Sequence, residues 1–190
     1  MNQPEVIVGS SQIPFALFEF LDDTHKRIHS KLIRLREITE TPHFPALKQD
    51  EKLTLESICR FFDKEAREHH LDEELHVFPV LHASHDAGVR DLANQLQLDH
   101  GWLEENWLEL SPQLKAVINQ NSWFDETEIA HGLNVFEMLY AEHMQLEETL
   151  AYPNARLSVT EWDPATIGQE MIKRRKHLPE KLKTDLTKVC

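Results

Sequence analysis

Along the first 150 residues, apolar side chains recur at spacings of three and four, which is the period of an amphipathic helix. Four such stripes follow one another and predict four long helices, with the stripes running through 18–35, 55–80, 89–107 and 129–150. Helices that each bury one apolar stripe are typical of a bundle around a shared core. The predicted fold class is therefore all-α, an up-down-up-down four-helix bundle followed by a short C-terminal helix.

Residues that cap or break helices set the expected boundaries. The helices are predicted to begin near Pro14, at Asp50 as N-cap, near Ser84, at a Ser122 and Asp125 capping box, and after Thr160. Thr41-Pro42 and Ser111-Pro112 are expected to end the first and third helices, because proline lacks the N–H that continues a helix. We expect two regions, a bundle domain over 1–153 and a helical tail over 154–190.

Composition and charge narrow the function classes. The chain has 190 residues, a single-domain size, and a formal net charge of −13. A surface this acidic argues against nucleic-acid binding, which needs cationic side chains against phosphates. The sequence shows neither a basic-apolar leader nor a long apolar run, so we expect no membrane insertion and a cytoplasmic location. Cys59 and Cys190 are expected to be free thiols.

One phrase occurs twice in the chain. Residues 69–79 read His-His-Leu-Asp-Glu-Glu-Leu-His-Val-Phe-Pro, and residues 143–153 read His-Met-Gln-Leu-Glu-Glu-Thr-Leu-Ala-Tyr-Pro. Both contain His-x-x-x-Glu-Glu followed by an aromatic residue and proline. The His and the first Glu of each phrase are four residues apart, so they lie side by side on one helix face. A lone His precedes each phrase at nearly the same distance, His25 before the first and His100 before the second.

The repeated His and Glu residues indicate a metal centre. His-Glu pairs at this spacing are common on exposed helix surfaces, but here the residues fall on the apolar stripes. A buried carboxylate costs several kcal/mol unless it is neutralised, and no Lys or Arg lies on these stripes. Four imidazoles and two carboxylates suit two metal ions that share the carboxylates. The predicted metal ligands are His25, His69, Glu73, His100, His143 and Glu147.

Other polar residues near these positions are weighed separately. His70 is one position out of register, and the second phrase has Met144 in its place, so His70 is not expected to be a ligand. His76 shares the face of His69 and is interpreted as a hydrogen-bond donor near the site, or a His in an apolar slot, in preference to a ligand. His43, between the first two helices, is interpreted as a surface loop residue in preference to an extra ligand.

The order of ligand positions resembles the hemerythrin-like, or HHE cation-binding, domain over about residues 14–153. That family has His on the first and third helices and His-x-x-x-Glu on the second and fourth. The resemblance implies a non-haem di-iron centre bridged by Glu73 and Glu147, although His and Glu ligands also accept Zn or Mn. The chain differs from oxygen-carrying hemerythrins, which have His-x-x-x-His on the third helix, where Leu96 precedes His100 by four residues. Its ligand set is nearer to that of di-iron proteins that repair iron–sulfur clusters.

The resemblance supports several functions for the expected centre of two iron ions. Our first hypothesis is a cytoplasmic protein that binds or senses O₂, NO or peroxide in stress or iron homeostasis. The alternatives are a di-iron peroxidase or oxidase, which would make the protein an enzyme, and an iron donor for iron–sulfur cluster repair. Fold does not decide among these roles. The expected partner is a small diatomic molecule or peroxide, and the oligomeric state is left open.

Overall fold

The computed structural model describes residues 15–158, 167, 170, 171 and 173–175, and within them the secondary structure is helical, without strands. Four helices form the bundle. The first, α1, is Phe15–Thr39, and the third, α3, is Ala87–Ile118. The second, α2, covers 49–82 as the α-segments Gln49–Arg60, Arg67–Asp72 and Phe78–His82, joined by π-helical segments Phe61–Ala66 and Glu73–Val77. The fourth, α4, covers 126–158 as Glu126–Leu146, a π-segment Glu147–Ala151 and Tyr152–Ser158. The all-α prediction is confirmed.

Each helix packs against the next one along the chain, and α1 also packs against α4. The buried apolar side chains form two clusters. The large cluster runs from Ile28 through Phe62 and Trp107 to Tyr140, and the small cluster from Leu17 through Val77 and Leu96 to Tyr152. His25 lies on α1 between Leu21 of the small cluster and Ile28 of the large one. The polar layer of the bundle therefore separates two apolar layers.

The repeated phrase coincides with two wide helical turns. Glu73 and Glu147 each begin a π-segment, and the N–H groups of Phe78 and Tyr152 donate to the carbonyls of Glu73 and Glu147, five residues earlier. The residue after each of these aromatics is proline, whose ring would clash with the carbonyl four residues earlier in a regular helix. A wide turn before the proline relieves that clash, so the aromatic-proline pair explains why both helices widen at the same place.

Several predicted boundaries were wrong. Helix α3 begins at Ala87, with the Asp86 side chain accepting the N–H of Gly88, and it continues past Pro112 to Ile118. Leu114 and Val117 beyond that proline are buried in the large cluster, and their packing outweighs the one hydrogen bond that proline removes.

Two helix starts also differ from the prediction. Asp50 lies in the first turn of α2, which begins after Lys48, whose backbone N–H donates to Glu51 at 2.8 Å. Asp125 is itself the N-cap of α4, accepting from the N–H groups of Thr127 and Glu128 at 2.7 and 3.2 Å. The start of the helix predicted after Thr160 lies outside the described residues. No helix in the described part of the chain is both long and apolar enough to cross a membrane.

Basic residues near the C-terminus pack against α2. The buried Asp72 carboxylate pairs with the guanidinium groups of Arg174 and Arg175, and the Arg174 contact is 2.5 Å long. Arg175 also donates to the carbonyl of Glu68 at 3.1 Å and lies over the ring of Phe20. These contacts join Arg174 and Arg175 to the helix that carries His69 and Glu73.

Candidate metal centre

All six predicted residues meet in one buried layer. The most exposed of them, His100, keeps 5% of its accessible surface. They are His25 on α1, His69 and Glu73 on α2, His100 on α3, and His143 and Glu147 on α4. Ligand atoms lie within 4.8 Å of one another in two groups of four, namely His25, His69, Glu73, Glu147 and Glu73, His100, His143, Glu147. The two groups share both carboxylates.

The Glu147 carboxylate faces imidazoles on both sides. Its Oε2 lies 3.2 Å from the Nε2 of His25, while its Oε1 lies 3.2 Å from the Nε2 of His143 and 3.9 Å from the Nε2 of His100. One oxygen therefore belongs to the first group of ligand atoms and the other oxygen to the second group.

Glu73 faces both groups in the same way. Its Oε1 lies 3.4 Å from the Nε2 of His69 and 3.9 Å from the Nε2 of His25, whereas its Oε2 lies 3.5 Å from the Nε2 of His100. Two carboxylates that each direct separate oxygens to separate His pairs have the arrangement of bridging ligands.

Many of these atoms are buried without a hydrogen bond. Among the described residues, partners are lacking for both ring nitrogens of His69 and His143, Nε2 of His100, Oε2 of Glu73, and both oxygens of Glu147. The nitrogen and oxygen atoms face one another at short range but without the direction that a hydrogen bond requires. Buried polar atoms without partners are costly and uncommon in folded proteins. A cation at the centre of the cluster would satisfy the Nε2 atoms and the carboxylate oxygens that face it, so the residues fit a metal ion.

The second Glu of each phrase holds an imidazole of a neighbouring helix. Glu74 Oε1 lies 2.8 Å from the Nδ1 of His100, and Glu148 Oε1 lies 2.9 Å from the Nδ1 of His25. A carboxylate at Nδ1 favours the proton there and leaves Nε2 free to face the centre. Sequence reasoning missed this role, although the repeated Glu-Glu doublet was the signal for it.

The aromatic residue of each phrase stacks on the same imidazole. Phe78 stacks on His100 with ring centroids 5.3 Å apart, and Tyr152 stacks on His25 at 5.6 Å. The two halves of the site differ because the Tyr152 hydroxyl donates to Glu73 Oε1 and lies 3.2 Å from the Nε2 of His25. Tyr152 was not among the predicted site residues.

Replacing Tyr152 by Phe is expected to lower the free energy of unfolding of the metal-free protein by about 2 kcal/mol, because a buried Glu73 oxygen loses its charge-assisted donor. Urea unfolding at mildly alkaline pH measures this change. Tyr140→Phe is the matched control, since Tyr140 is also buried on α4 but packs against Phe62 and Phe136. Equal losses in both variants would show that the Tyr152 hydroxyl has no special partner.

Burial and charge set the protonation of the metal-free site. Burial lowers the pKa of His69 well below its usual value, so this ring is neutral, the form that binds a metal. Burial opposes charge on His25 as well, but the Glu147 and Glu73 carboxylates outweigh it and raise its pKa to about 9. Burial, followed by the Glu147 charge, raises the pKa of Glu73 to about 7. Imidazole protons thus balance carboxylate charge when no metal is bound.

His70 is closer to the centre than its register predicted. It is buried, with 8% of its surface exposed, and its ring stacks on His100 with centroids 4.1 Å apart. One of its nitrogens lies within 4.8 Å of ligand nitrogens of His100 and His143. By contrast, His76 faces Glu170 and Arg174, away from the centre. His43 lies in the turn before α2 and forms a hydrogen bond with Glu51 in the first turn of that helix.

A helical bundle with an internal cluster of imidazoles and carboxylates defines a class of proteins that bind metal cations between their helices. The chain belongs to the hemerythrin family: the model of the hemerythrin HHE cation-binding domain matches residues 16–155. That range includes all six predicted ligands and the proline of each phrase, in agreement with the resemblance predicted from the sequence.

A curated relative adds a second comparison. A protein of Haemophilus influenzae, described as uncharacterized, is 35% identical over 97 residues, which are 50% of this chain and 54% of the relative. The chain thus spans about half the length of the curated relative that it matches. No solved structure gives a significant match to this chain.

Proposed function

We propose that this protein holds two iron ions in a carboxylate-bridged centre and uses them to bind or sense a small molecule such as O₂, NO or peroxide. The observation that carries the proposal is the pair of overlapping ligand groups, because each shared carboxylate directs a different oxygen to each His pair. Imidazole and carboxylate ligands suit iron, and the hemerythrin match supports a cation in this cluster.

The two His pairs and the two carboxylates would have different roles at this centre. His25 and His69 would hold one ion, His100 and His143 the other, and the two carboxylates would bridge them. When bound, a pair of iron ions supplies a coordination position for the small molecule and electrons to bind or reduce it. The apolar clusters enclose the polar layer on two sides.

A di-iron peroxidase or oxidase is a second candidate function. A cavity of about 440 Å³ between α2 and α3 has His100 in its lining. An enzyme would need such a cavity to admit its substrate and release its product. Exposing the reduced protein to air separates the two functions: a stable absorption band of a bound form supports binding, and rapid repeated oxidation with an external reductant supports an enzyme.

The remaining structural predictions also stand as proposals. We infer an up-down-up-down order of the helices. His25 pairs with Glu148, whereas Arg36, further along α1, pairs with Glu137, which comes earlier on α4. The two helices therefore run in opposite directions. A cytoplasmic location and the division of the chain at 153 and 154 stay predictions. Helix α4 itself continues across that division to Ser158.

Metal analysis tests the proposed centre. Protein purified from iron-replete cells is expected to carry roughly two metal ions per chain, mainly iron, because six buried ligand residues exceed the needs of one tetrahedral ion. Elemental analysis by plasma mass spectrometry, with protein concentration from amino-acid analysis, gives the ratio. A folded preparation that holds one zinc ion, or none after anaerobic reconstitution with ferrous iron, would refute the di-iron proposal.

A further inference from the structure

The cavity between α2 and α3 has His100, one of the six candidate ligands, in its lining together with several acidic side chains. Its lining includes the carboxylates of Asp63, Glu68, Glu74 and Glu104 against two basic side chains, Lys64 and Arg67. Arg67 and Glu104 form an ion pair and offset one another, and Lys115 pairs with Asp63, so the negative charge that remains in the lining comes from Glu68 and Glu74 against Lys64. A cleft with excess negative charge concentrates cations and raises their association rate. The groove between α1 and α4 is also acidic, with Glu37, Glu40 and Glu137 against Arg36, but it has none of the six candidate ligands in its lining.

His70 lines this cavity beside His100 and is buried. The Nε2 atom of His70 is buried and has no hydrogen-bond partner among the described residues. The His70 ring stacks on His100 and meets the ring of His143 edge-on, with centroids 4.1 and 5.7 Å away. His70, His100 and His143 together offer three nitrogens within 4.8 Å of one another. This is a second possible set of metal ligands, displaced from the carboxylates toward the cavity.

We propose that the cavity is the entry route for divalent metal ions and that His70 is the first buried ligand they meet. A His70 nitrogen replaces one water of the entering ion, and His100 and His143 replace further waters before Glu73 and Glu147 complete the coordination. No electron is transferred in these ligand exchanges. His70 is then released and is not a ligand of the finished centre. The proposal rests on the proposed function in that it requires a metal centre at these residues.

The test is the rate at which metal-free full-length protein takes up Co²⁺, followed by the visible absorption of the bound ion in a stopped-flow instrument. The variant is His70→Met, which copies Met144, the residue that the chain itself has at the equivalent position of the second phrase. Uptake by this variant is expected to be about tenfold slower because the entering ion loses its first imidazole, and tenfold is the lower end of what removing a residue beside a metal site costs. The final Co²⁺ content is expected to equal that of the wild type.

Two controls make the result specific. His29→Met changes an exposed His that lines the α1–α4 groove, and it should leave the uptake rate unchanged. Glu104→Gln should slow uptake and weaken its dependence on salt, whereas Glu105→Gln, an exposed neighbour outside the cavity lining, should not. Circular dichroism and the final Co²⁺ content establish that each variant is folded, and His70→Gln provides a second folded substitution at the same site.

Two results would overturn the proposal. An unchanged rate in folded His70→Met and His70→Gln would exclude the entry role, and a lower final Co²⁺ content in these variants would make His70 a resident ligand. Failure of the wild-type protein to bind Co²⁺ at all would instead refute the metal centre on which the proposal depends. The final Co²⁺ content of the wild-type protein therefore tests the metal centre, and the uptake rates of the variants test the entry route.

Discussion

Alanine at His69 or at His143 is expected to lower the affinity of the centre for metal by about 100-fold or more, beyond the usual effect of losing a residue that only supports a ligand. Each imidazole is buried against a carboxylate of the centre, His69 facing Glu73 at 3.4 Å and His143 facing Glu147 at 3.2 Å. Titration of metal-free protein with Fe²⁺ under anaerobic conditions, in competition with a coloured chelator, measures the change.

His70→Met is the matched control for this experiment, because it changes a buried imidazole next to His69 and leaves the predicted ligands in place. Its equilibrium affinity for metal is expected to stay within a few-fold of the wild-type value. If His70→Met removed the metal while His69→Ala retained it, the alignment of the two phrases would be wrong by one position.

Removal of the metal is expected to lower the midpoint of thermal unfolding by about 10 °C while most helical structure remains. A ligand present at about 1,000 times its dissociation constant stabilises the folded state by about 4 kcal/mol, and each kcal/mol moves the midpoint of a domain of this size by about 2–4 °C. The helices persist because two apolar clusters remain packed. Circular dichroism melts of samples with measured metal content provide the comparison.

Acid should reduce the difference in thermal midpoint between the metal-loaded and the metal-free protein. The raised pKa values of His25, about 9, and Glu73, about 7, mean that both groups bind protons in the metal-free site, and metal must displace them. These protons stabilise the metal-free fold at low pH, and that contribution is lost as the pH rises through about 7 for Glu73 and about 9 for His25.

Melts of both forms at about pH 8 and about pH 6 test the dependence, and a chelator should remove metal faster at the lower pH. A midpoint that is the same with and without metal at both values would show that the cluster does not bind a metal that stabilises the fold. A chelator rate independent of pH would show that protons do not compete for these ligands.

The sequence was sufficient to predict four helices and the six His and Glu residues that the structure brings together in one buried layer. Their positions follow from one rule, because His and Glu four residues apart on an apolar stripe must face the interior together. The repeat then related the lone residues, His25 and His100, to the two pairs. The metal itself, its number and its reactivity stay predictions, since the same cluster accepts several ions.

The buried position of His70 beside His100 was missed because the prediction allowed each helix one narrow buried face. Helix α2 lies between two neighbours, so His69 packs against His25 on α1 while the adjacent His70 packs against His100 on α3. A helix held between two neighbours buries an arc wide enough for consecutive residues. Periodicity alone does not specify how many partners a helix has, and this information comes only from the assembled bundle.

The wide turns at Glu73 and Glu147 limit how the chain tolerates changes in length. Each such turn contains one residue more than a regular helix would have at that point. Deleting a single residue from 74–77 or 148–151 would remove the wide turn and bring back the clash between the proline and the carbonyl four residues earlier. It would also rotate everything beyond the turn by about 100°, carrying Phe78 or Tyr152 away from the imidazole on which it stacks. A deletion that looks harmless in an alignment, because it removes a surplus residue inside a helix, would therefore both dismantle the site and strain the helix at the proline.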